Sequence, residues 1–494
     1  MPPHMSGDDF RRYGHQVIDW IADYWETIGE RPVLAQVAPG DVTAKLPTSA
    51  PDEPESFDAV LCDLDQIIMP GITHWQHPRY LAYFPANSSP AAILGDLISS
   101  GIGAQGMIWA TSPAATELEQ VVLDWFAEAL GLPDAFRHNA NPHSNGGGVI
   151  QDTASTATFT ALLAALHRAG DGAVRSDGII AGKYTVYGSS QAHSSLQKAA
   201  MMSGLGERAL RSIDVDPATQ AMNVGKLRAA IEQDLAAGRT PLMVQAAVGT
   251  TSTGAIDPVA EIGSITSELG IWLHVDAAWA GVAAVCPELR WINDGVGEFA
   301  DSYVTNPHKW LLTTFDCSTF WVRDRAPLIG ALSVLPEYLR NPASGSGAVV
   351  DYRDWHPQLG RRFRAVKLWA VLRSYGLVGL RRHISAGVGQ ARRLADLVLA
   401  DHRFAFAAPP VLGLVTVRIV ADDDGTPLPD QEADRRTMAA MYAVNASGVA
   451  YLSHTTVNGR TAIRLAVGGW RTTTADVEQT WQELQRHAAT PSPG

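Results

Sequence analysis

IWLHVDAAWAG (271–281) and DSYVTNPHKW (301–310) decide the fold. Each holds a short apolar run that ends in chemistry-bearing residues: Asp276 in the first, Asn306, His308 and Lys309 in the second. PVAEIGSITSELG (258–270), just before the first run, spaces its apolar residues as a helix does. Working outward, GIIAG (178–182), LMVQAAVG (242–249) and STFWVRD (318–324) read as further strands. ATFTALLAALHRA (157–169) and VGKLRAAIEQDLAAG (224–238) read as helices between them. This alternation predicts an α/β domain with a mostly parallel central sheet flanked by helices. Ligands of such domains sit at the carboxyl ends of the strands, so polar residues just past those ends become candidates.

The flanks differ. Residues 8–28 are spaced as an amphipathic helix, with Asp8 and Asp9 placed to cap it. Residues 31–58, rich in Pro, Asp and Ser, read as an extended arm, and 59–69 as another helix. Residues 1–88 thus form an N-terminal helical and extended segment with little core of its own, expected to pack on a partner subunit. Residues 89–376 form the large domain. Residues 377–494 form a smaller C-terminal α/β domain, with strands LVTVRIV (414–420) and TAIRLAVGG (461–469) and a final helix from about 475. SVLPEYLRNPASGSGAVV (333–350) has no period and reads as a long mobile surface loop.

The 494 residues carry a formal net charge of −13, which argues against nucleic acid or an anionic membrane as main partner. The three cysteines, Cys62, Cys286 and Cys317, have no zinc or disulfide spacing, which suits a reducing compartment. No leader pattern opens the chain and no apolar run spans a bilayer, so the expected location is the cytoplasm.

Only six lysines occur: Lys45, Lys183, Lys198, Lys226, Lys309 and Lys367. Lys309 alone follows an apolar strand on its loop side; a partly desolvated lysine there is a good amine nucleophile toward an aldehyde. Asp276 lies about one strand–helix–strand step upstream, where a carboxylate can pair with a pyridine nitrogen. NGGGVIQDTASTATF (145–159) runs from a glycine cluster through a polar turn into a helix; its free N–H groups, with Thr153 and Ser155, suit a phosphate. His193 in SSQAHSS (189–195) sits at a strand-to-helix junction, where an imidazole can stack on a ring. Thr251 stands in the polar loop GTTSTGAIDP (249–258). Each alone also fits a structural role: a solvated lysine, a capping Asp, a capped helix, a packing His, a turn. Their conjunction, in this order at the strand ends of one domain, is far more specific.

The chain resembles the aromatic-L-amino-acid decarboxylase family, the group II decarboxylases of fold type I that use pyridoxal 5′-phosphate (PLP). QHPRYLAYFP (76–85), SPAATELEQVVLDW (112–125), GGGVIQDTAS (146–155), QAHSS (191–195), HVDAAWAG (274–281), NPHKWLLTTFDCS (306–318) and DYRDWHPQLGRRFRAVKLW (351–369) carry the resemblance. It implies that Lys309 bonds the cofactor aldehyde, Asp276 pairs with the pyridine nitrogen and His193 stacks on the ring. Ala154, Ser155 and Asn306 would hold the phosphate, with Thr251 and His308 close by. Tyr338 would be the proton-donating tyrosine of a mobile catalytic loop. The expected protein is a homodimer with active sites at the interface. Phe84, Pro85, Gln105, Met107 and Gly360 would line the substrate pocket. Gln105 and Met107 depart from the aliphatic and aromatic residues of catechol-specific members, and Ala86-Asn87 departs after FP. Gly360 matches members that accept indoles, which favours tryptophan or 5-hydroxytryptophan and leaves L-DOPA open.

Three rivals stand beside this carboxy-lyase reading. An aromatic acetaldehyde synthase would decarboxylate and deaminate oxidatively, but such relatives change the loop tyrosine or the stacking His, and this chain keeps Tyr338 and His193. An aminotransferase would need an arginine for the substrate carboxylate, for which Arg464 is the candidate. A non-catalytic PLP-binding regulator would need a basic DNA-binding helix pair, which the acidic N-terminus does not offer.

Overall fold

The computed structural model describes residues 4–139, 144–170, 172–334, 342–345 and 349–489. The chain divides into two compact units: Met1–Pro85 with Arg393–Ala405 and Val417–Gly494, and Ala86–Arg392 with Phe406–Thr416.

The larger unit is built on a seven-stranded sheet. Its strands are β1 (Gly147–Gln151), β2 (Tyr184–Ser189), β3 (Leu210–Ile213), β4 (Thr240–Ala247), β5 (Trp272–Asp276), β6 (Ser302–Thr305) and β7 (Ser318–Val322). Their order is β1-β7-β6-β5-β4-β2-β3. The pairs β2–β3, β2–β4, β4–β5 and β5–β6 are parallel, while β7 runs antiparallel to both β1 and β6. β1, β2, β5, β6 and β7 are buried at every residue, which explains why they read as continuous runs rather than alternating ones.

Two helices bear on the site, α1 (Pro113–Ala129) and α2 (Ala154–Ala169). α2 shares a buried cluster with the sheet: its Ala157, Ala161, Leu162 and Ala165 join Val186, Met243, Trp272, Val304 and Phe320. The small alanines let the helix axis approach the strands closely.

Three local expectations change. GIIAG (178–182) is not a strand; Gly178 (φ 81°) and Gly182 (φ 74°) take left-handed turns, and β2 begins only at Tyr184. The glycine cluster before the polar turn leads straight into a strand, with Gly147 and Gly148 already in β1. A Cβ on Gly148 would stand 2.6 Å from Trp321, and one on Gly146 would overlap the Ala135 carbonyl oxygen, so packing rather than a loop calls for glycine there. The N-terminal helix, Gly7–Thr27, is capped by Ser6, whose Oγ accepts from the Asp9 amide; Asp8 and Asp9 lie in its first turn instead.

In the smaller unit, Val33, Tyr80 and Ala82 form a buried cluster against Tyr451. Val33 N donates to Gly448 O and Leu81 N to Tyr451 O, so the start of the arm and the stretch after it are both bonded to C-terminal residues. The helix Gly7–Thr27 itself buries no residue, and Phe10 and Ile18 are exposed. The C-terminal region adds β8 (Phe404–Val411), β9 (Leu414–Ile419), β10 (Ser453–Val457) and β11 (Arg460–Ala466), in the order β10-β11-β9-β8. Among the described residues no helix is long and apolar enough to cross a membrane.

Candidate active site

Asp276, Asn306, His308, Lys309 and His193 follow or end the parallel strands of the larger sheet. Asp276 is the last residue of β5, and pairs in register with Ala247 of β4 and Val304 of β6. Directly after β6, the short helix α3 (Pro307–Trp310) carries His308 and Lys309. Asn306 N donates to Ala278 O, so the chain leaving β6 is bonded to the chain leaving β5. Asp276 and Lys309 therefore stand at the same edge, on adjacent strands.

Each side chain has a specific support. Asp276 is buried; its Oδ2 accepts from Gln245 Nε2 at 3.0 Å and its Oδ1 from the Ala278 amide at 3.1 Å. These neutral donors orient a carboxylate without neutralising it. Asn87 fastens the backbone of Lys309: its Nδ2 donates to Lys309 O at 2.7 Å. Asn306 is buried, and its Oδ1 accepts from Ser318 Oγ at 2.6 Å, leaving its amide nitrogen to face elsewhere. Gln245, Asn87 and Ser318 were not singled out for these roles from sequence. Gln245 had a signal, as the one polar residue within LMVQAAVG.

His193 follows β2, and its Nδ1 accepts from the Ser195 amide at 3.2 Å. The proton of the neutral ring is therefore on Nε2. Burial lowers its pKa; the Asp276 carboxylate opposes this and the Lys309 charge reinforces it. His308 is buried, its Nδ1 accepting from the Cys317 amide at 2.9 Å, and burial pushes its pKa down to about 3. It is a neutral wall beside Lys309.

The start of α2 suits an anion. Thr153 is its N-cap but makes no side-chain cap bond, so the first amides, those of Ala154 and Ser155 among them, have no cap from it. Nearby at the same edge, the buried side chains of Gln151, the last residue of β1, and Ser189, the last of β2, have no partner among the described residues; nor does Ser195 Oγ. Buried polar groups normally find partners, so this edge has the donor set of a phosphate-bearing ligand. PLP fits: a lysine for its aldehyde, a carboxylate for its ring nitrogen, and free donors for its phosphate.

Other candidates fall elsewhere. Thr251 is exposed at a turn after β4, in a loop held by the Thr250–Thr253 hydroxyl contact of 3.1 Å. Gln105, Met107 and Gly360 form a separate cluster. Gln105 Oε1 accepts from Arg361 N at 3.3 Å, and Met107 O accepts from Arg353 N at 2.8 Å. A Cβ on Gly360 would meet only Gln105 Oε1, at 3.7 Å, so that wall is open. Phe84 and Pro85 belong to the smaller unit, where Arg464 lies 5.2 Å over the Phe84 ring. Arg464 also donates to Ser453 Oγ and Tyr83 O. Tyr338 lies outside the described residues.

Comparison with known proteins gives a consistent picture. The family described as pyridoxal-dependent decarboxylase conserved domain matches residues 39–420. A phenylacetaldehyde synthase of Arabidopsis thaliana is 45% identical over 489 residues, 98% of this chain and 97% of that protein. Tyrosine decarboxylase 2 of Narcissus pseudonarcissus is 43% identical, covering 98% of this chain and 95% of its own. Among solved structures, Oryza sativa TDC with PLP and tryptamine superposes with a TM-score of 0.94 at 39% identity, covering 99% of both chains.

Proposed function

The chain belongs to the pyridoxal-dependent decarboxylase family, and from that premise we propose that it decarboxylates aromatic L-amino acids to their amines with Lys309 and Asp276 as the central pair. The protein is a PLP-dependent carboxy-lyase of fold type I. The observation that supports the assignment of residues is the placement of Asp276 and Lys309 on adjacent strand ends, beside the open start of α2.

PLP, when bound, supplies an aldehyde that exchanges amines and a protonated ring that takes up the electron pair left by the departing carboxylate. Lys309 would hold the cofactor through its aldehyde, with its amine as the nucleophile. Asp276, oriented by Gln245, would pair with the ring nitrogen and favour its protonated form. His193 supports the ring face as a neutral imidazole. Ala154, Ser155 and Asn306 hold the phosphate, with His308 and Thr251 close to the cofactor. Tyr338 would deliver a proton to the substrate Cα once the carboxylate has left.

Tryptophan and 5-hydroxytryptophan head the substrate list, because a glycine at 360 leaves space for an indole; tyrosine and L-DOPA follow. Gln105 and Met107 line the same wall of the ring pocket. The working unit is a homodimer, whose partner covers the exposed apolar face of Gly7–Thr27. The unpaired Cys62, Cys286 and Cys317 suit the cytoplasm. The direct test supplies the purified holoenzyme with tryptophan, 5-hydroxytryptophan, L-DOPA, tyrosine and phenylalanine in competition. The expected products are amines and CO2 in equal amounts. Failure to form any aromatic amine refutes the assignment.

The similarity to a phenylacetaldehyde synthase favours one second reading, oxidative decarboxylation to an aldehyde. Tyr338 is the residue on which the two readings part. Replacing Tyr338 with Phe removes the proton donor, so the product should shift from amine toward aldehyde, with ammonia and peroxide formed at the expense of O2. Unchanged amine output would remove Tyr338 from the mechanism. Aldehyde as the main wild-type product would select the second reading.

A further inference from the structure

We propose that the buried pair Glu119–Arg361 is a positioning pair, which sets the height of the wall made by Gln105, Met107 and Gly360 above β1 and thereby tunes binding of aromatic rings of different size. The inference rests on reading that wall as part of the substrate-ring pocket.

Both side chains are 2% exposed, and the two residues come from distant stretches: Glu119 from α1, Arg361 from the segment before the long helix Ala365–Leu399. Arg361 Nη2 donates to Glu119 Oε1 at 2.6 Å and to Ile150 O at 3.0 Å. The same Glu119 Oε1 accepts from Ile150 N at 2.8 Å. Carboxylate and guanidinium thus grip both backbone groups of one β1 residue.

The other side of Arg361 grips the wall. Its Nη1 donates to Gly106 O at 3.3 Å, and its backbone O accepts from Gly106 N at 3.1 Å. Its backbone N donates to Gln105 Oε1. Its guanidinium lies 4.5 Å over the Tyr352 ring, which fixes its plane. Gly360 is its immediate neighbour.

One planar group therefore ties the wall to β1, the strand that runs through Gln151 into the turn opening α2. A guanidinium can make these divergent, in-plane bonds, whereas an ammonium makes fewer and less directed ones. Its charge in a dry interior needs the Glu119 carboxylate; without it the arginine would move toward water and the wall would move with it.

The test uses the full-length holoenzyme with Glu119→Gln and Arg361→Lys, and Gly360→Ser as a control on the wall itself. Steady-state kcat and KM are measured for tryptophan and tyrosine, with the visible absorption and circular dichroism of bound cofactor as a loading readout. Glu119→Gln keeps the size and an acceptor oxygen but removes the charge, so it decides the matter if Arg361→Lys fails to fold. It is expected to raise KM for tryptophan about tenfold and to change the tryptophan-to-tyrosine ratio of kcat/KM, with kcat within about threefold and the cofactor spectrum unchanged. Unchanged KM and ratio in the loaded Glu119→Gln protein, with a shifted ratio in Gly360→Ser, overturn the positioning role and leave the pocket reading standing. An unchanged ratio in Gly360→Ser as well fells the pocket reading, and this proposal with it. A loss confined to kcat and proportional to lost cofactor assigns the pair to fold stability alone, which also overturns the proposal.

Discussion

Lys309→Ala abolishes turnover, with a fall in kcat of roughly 10⁴-fold or more, the scale on which enzymes lose their covalent nucleophile. The reason is chemical and local. Six lysines exist, and Lys309 alone stands at the carboxyl edge of the sheet beside Asp276. The variant keeps its fold, because the bonds that shape this turn are made by the Lys309 backbone, from Lys309 N to Asn306 O and from Asn87 to Lys309 O. Alanine retains both. The measurement is single-turnover amine formation at saturating PLP, together with the visible absorption of the lysine–cofactor bond. Loss of both, with an unchanged melting curve of cofactor-free protein, is the expected result. Residual turnover above about 1% of wild type would refute the role of Lys309.

Asp276→Asn is expected to cost about 10²–10³-fold in kcat, equivalent to about 2.7–4 kcal/mol of lost stabilisation where charge develops. Asparagine matches the shape; its Oδ1 still accepts from the Ala278 amide, and Gln245 meets the new Nδ2 by turning its side-chain amide so that Oε1 accepts, so packing changes little. What disappears is the negative charge that keeps a proton on the cofactor nitrogen. The cofactor should also bind more weakly, measurable as a lower occupancy on dilution. A kcat within threefold of wild type would show that the ring nitrogen has no need of this carboxylate.

These two residues show why part of the site was legible before any coordinates. A strand announces itself by a short apolar run, and the residues that end or follow it are read off directly; Asp276 ends one such run and Lys309 follows another. The start of α2 was legible for the same reason, since the polar turn before a periodic stretch marks a helix N-terminus. The supports of these groups were not. Gln245 meets Asp276 across 31 residues, Asn87 meets Lys309 across 222, and Arg361 meets Glu119 across 242. Nothing local in the chain specifies such pairs.

The glycines before α2 make the same point from the other side. Read along the chain, Gly146, Gly147 and Gly148 suggest a loop. In the folded protein Gly147 and Gly148 begin a buried strand and Gly146 precedes it, and all three are glycine because Trp321 on β7, the Ala135 carbonyl and His138 occupy the space a Cβ would need. The start of β2 was likewise hidden, because GIIAG is apolar enough for a strand but bounded by two glycines with positive φ.

The sequence by itself determined the α/β class, the strands that end in Asp276 and Asn306–Lys309, and the family to which they point. These follow from periodicity and side-chain chemistry over a few residues, which act before any long-range contact forms. Only the tertiary structure decided that β7 enters the sheet reversed between β1 and β6, which amides and carbonyls hold each candidate in place, and that one buried arginine ties Gln105, Met107 and Gly360 to β1. Those are choices among many pairings of similar local strength, settled by which arrangement pairs most of the buried polar groups at once.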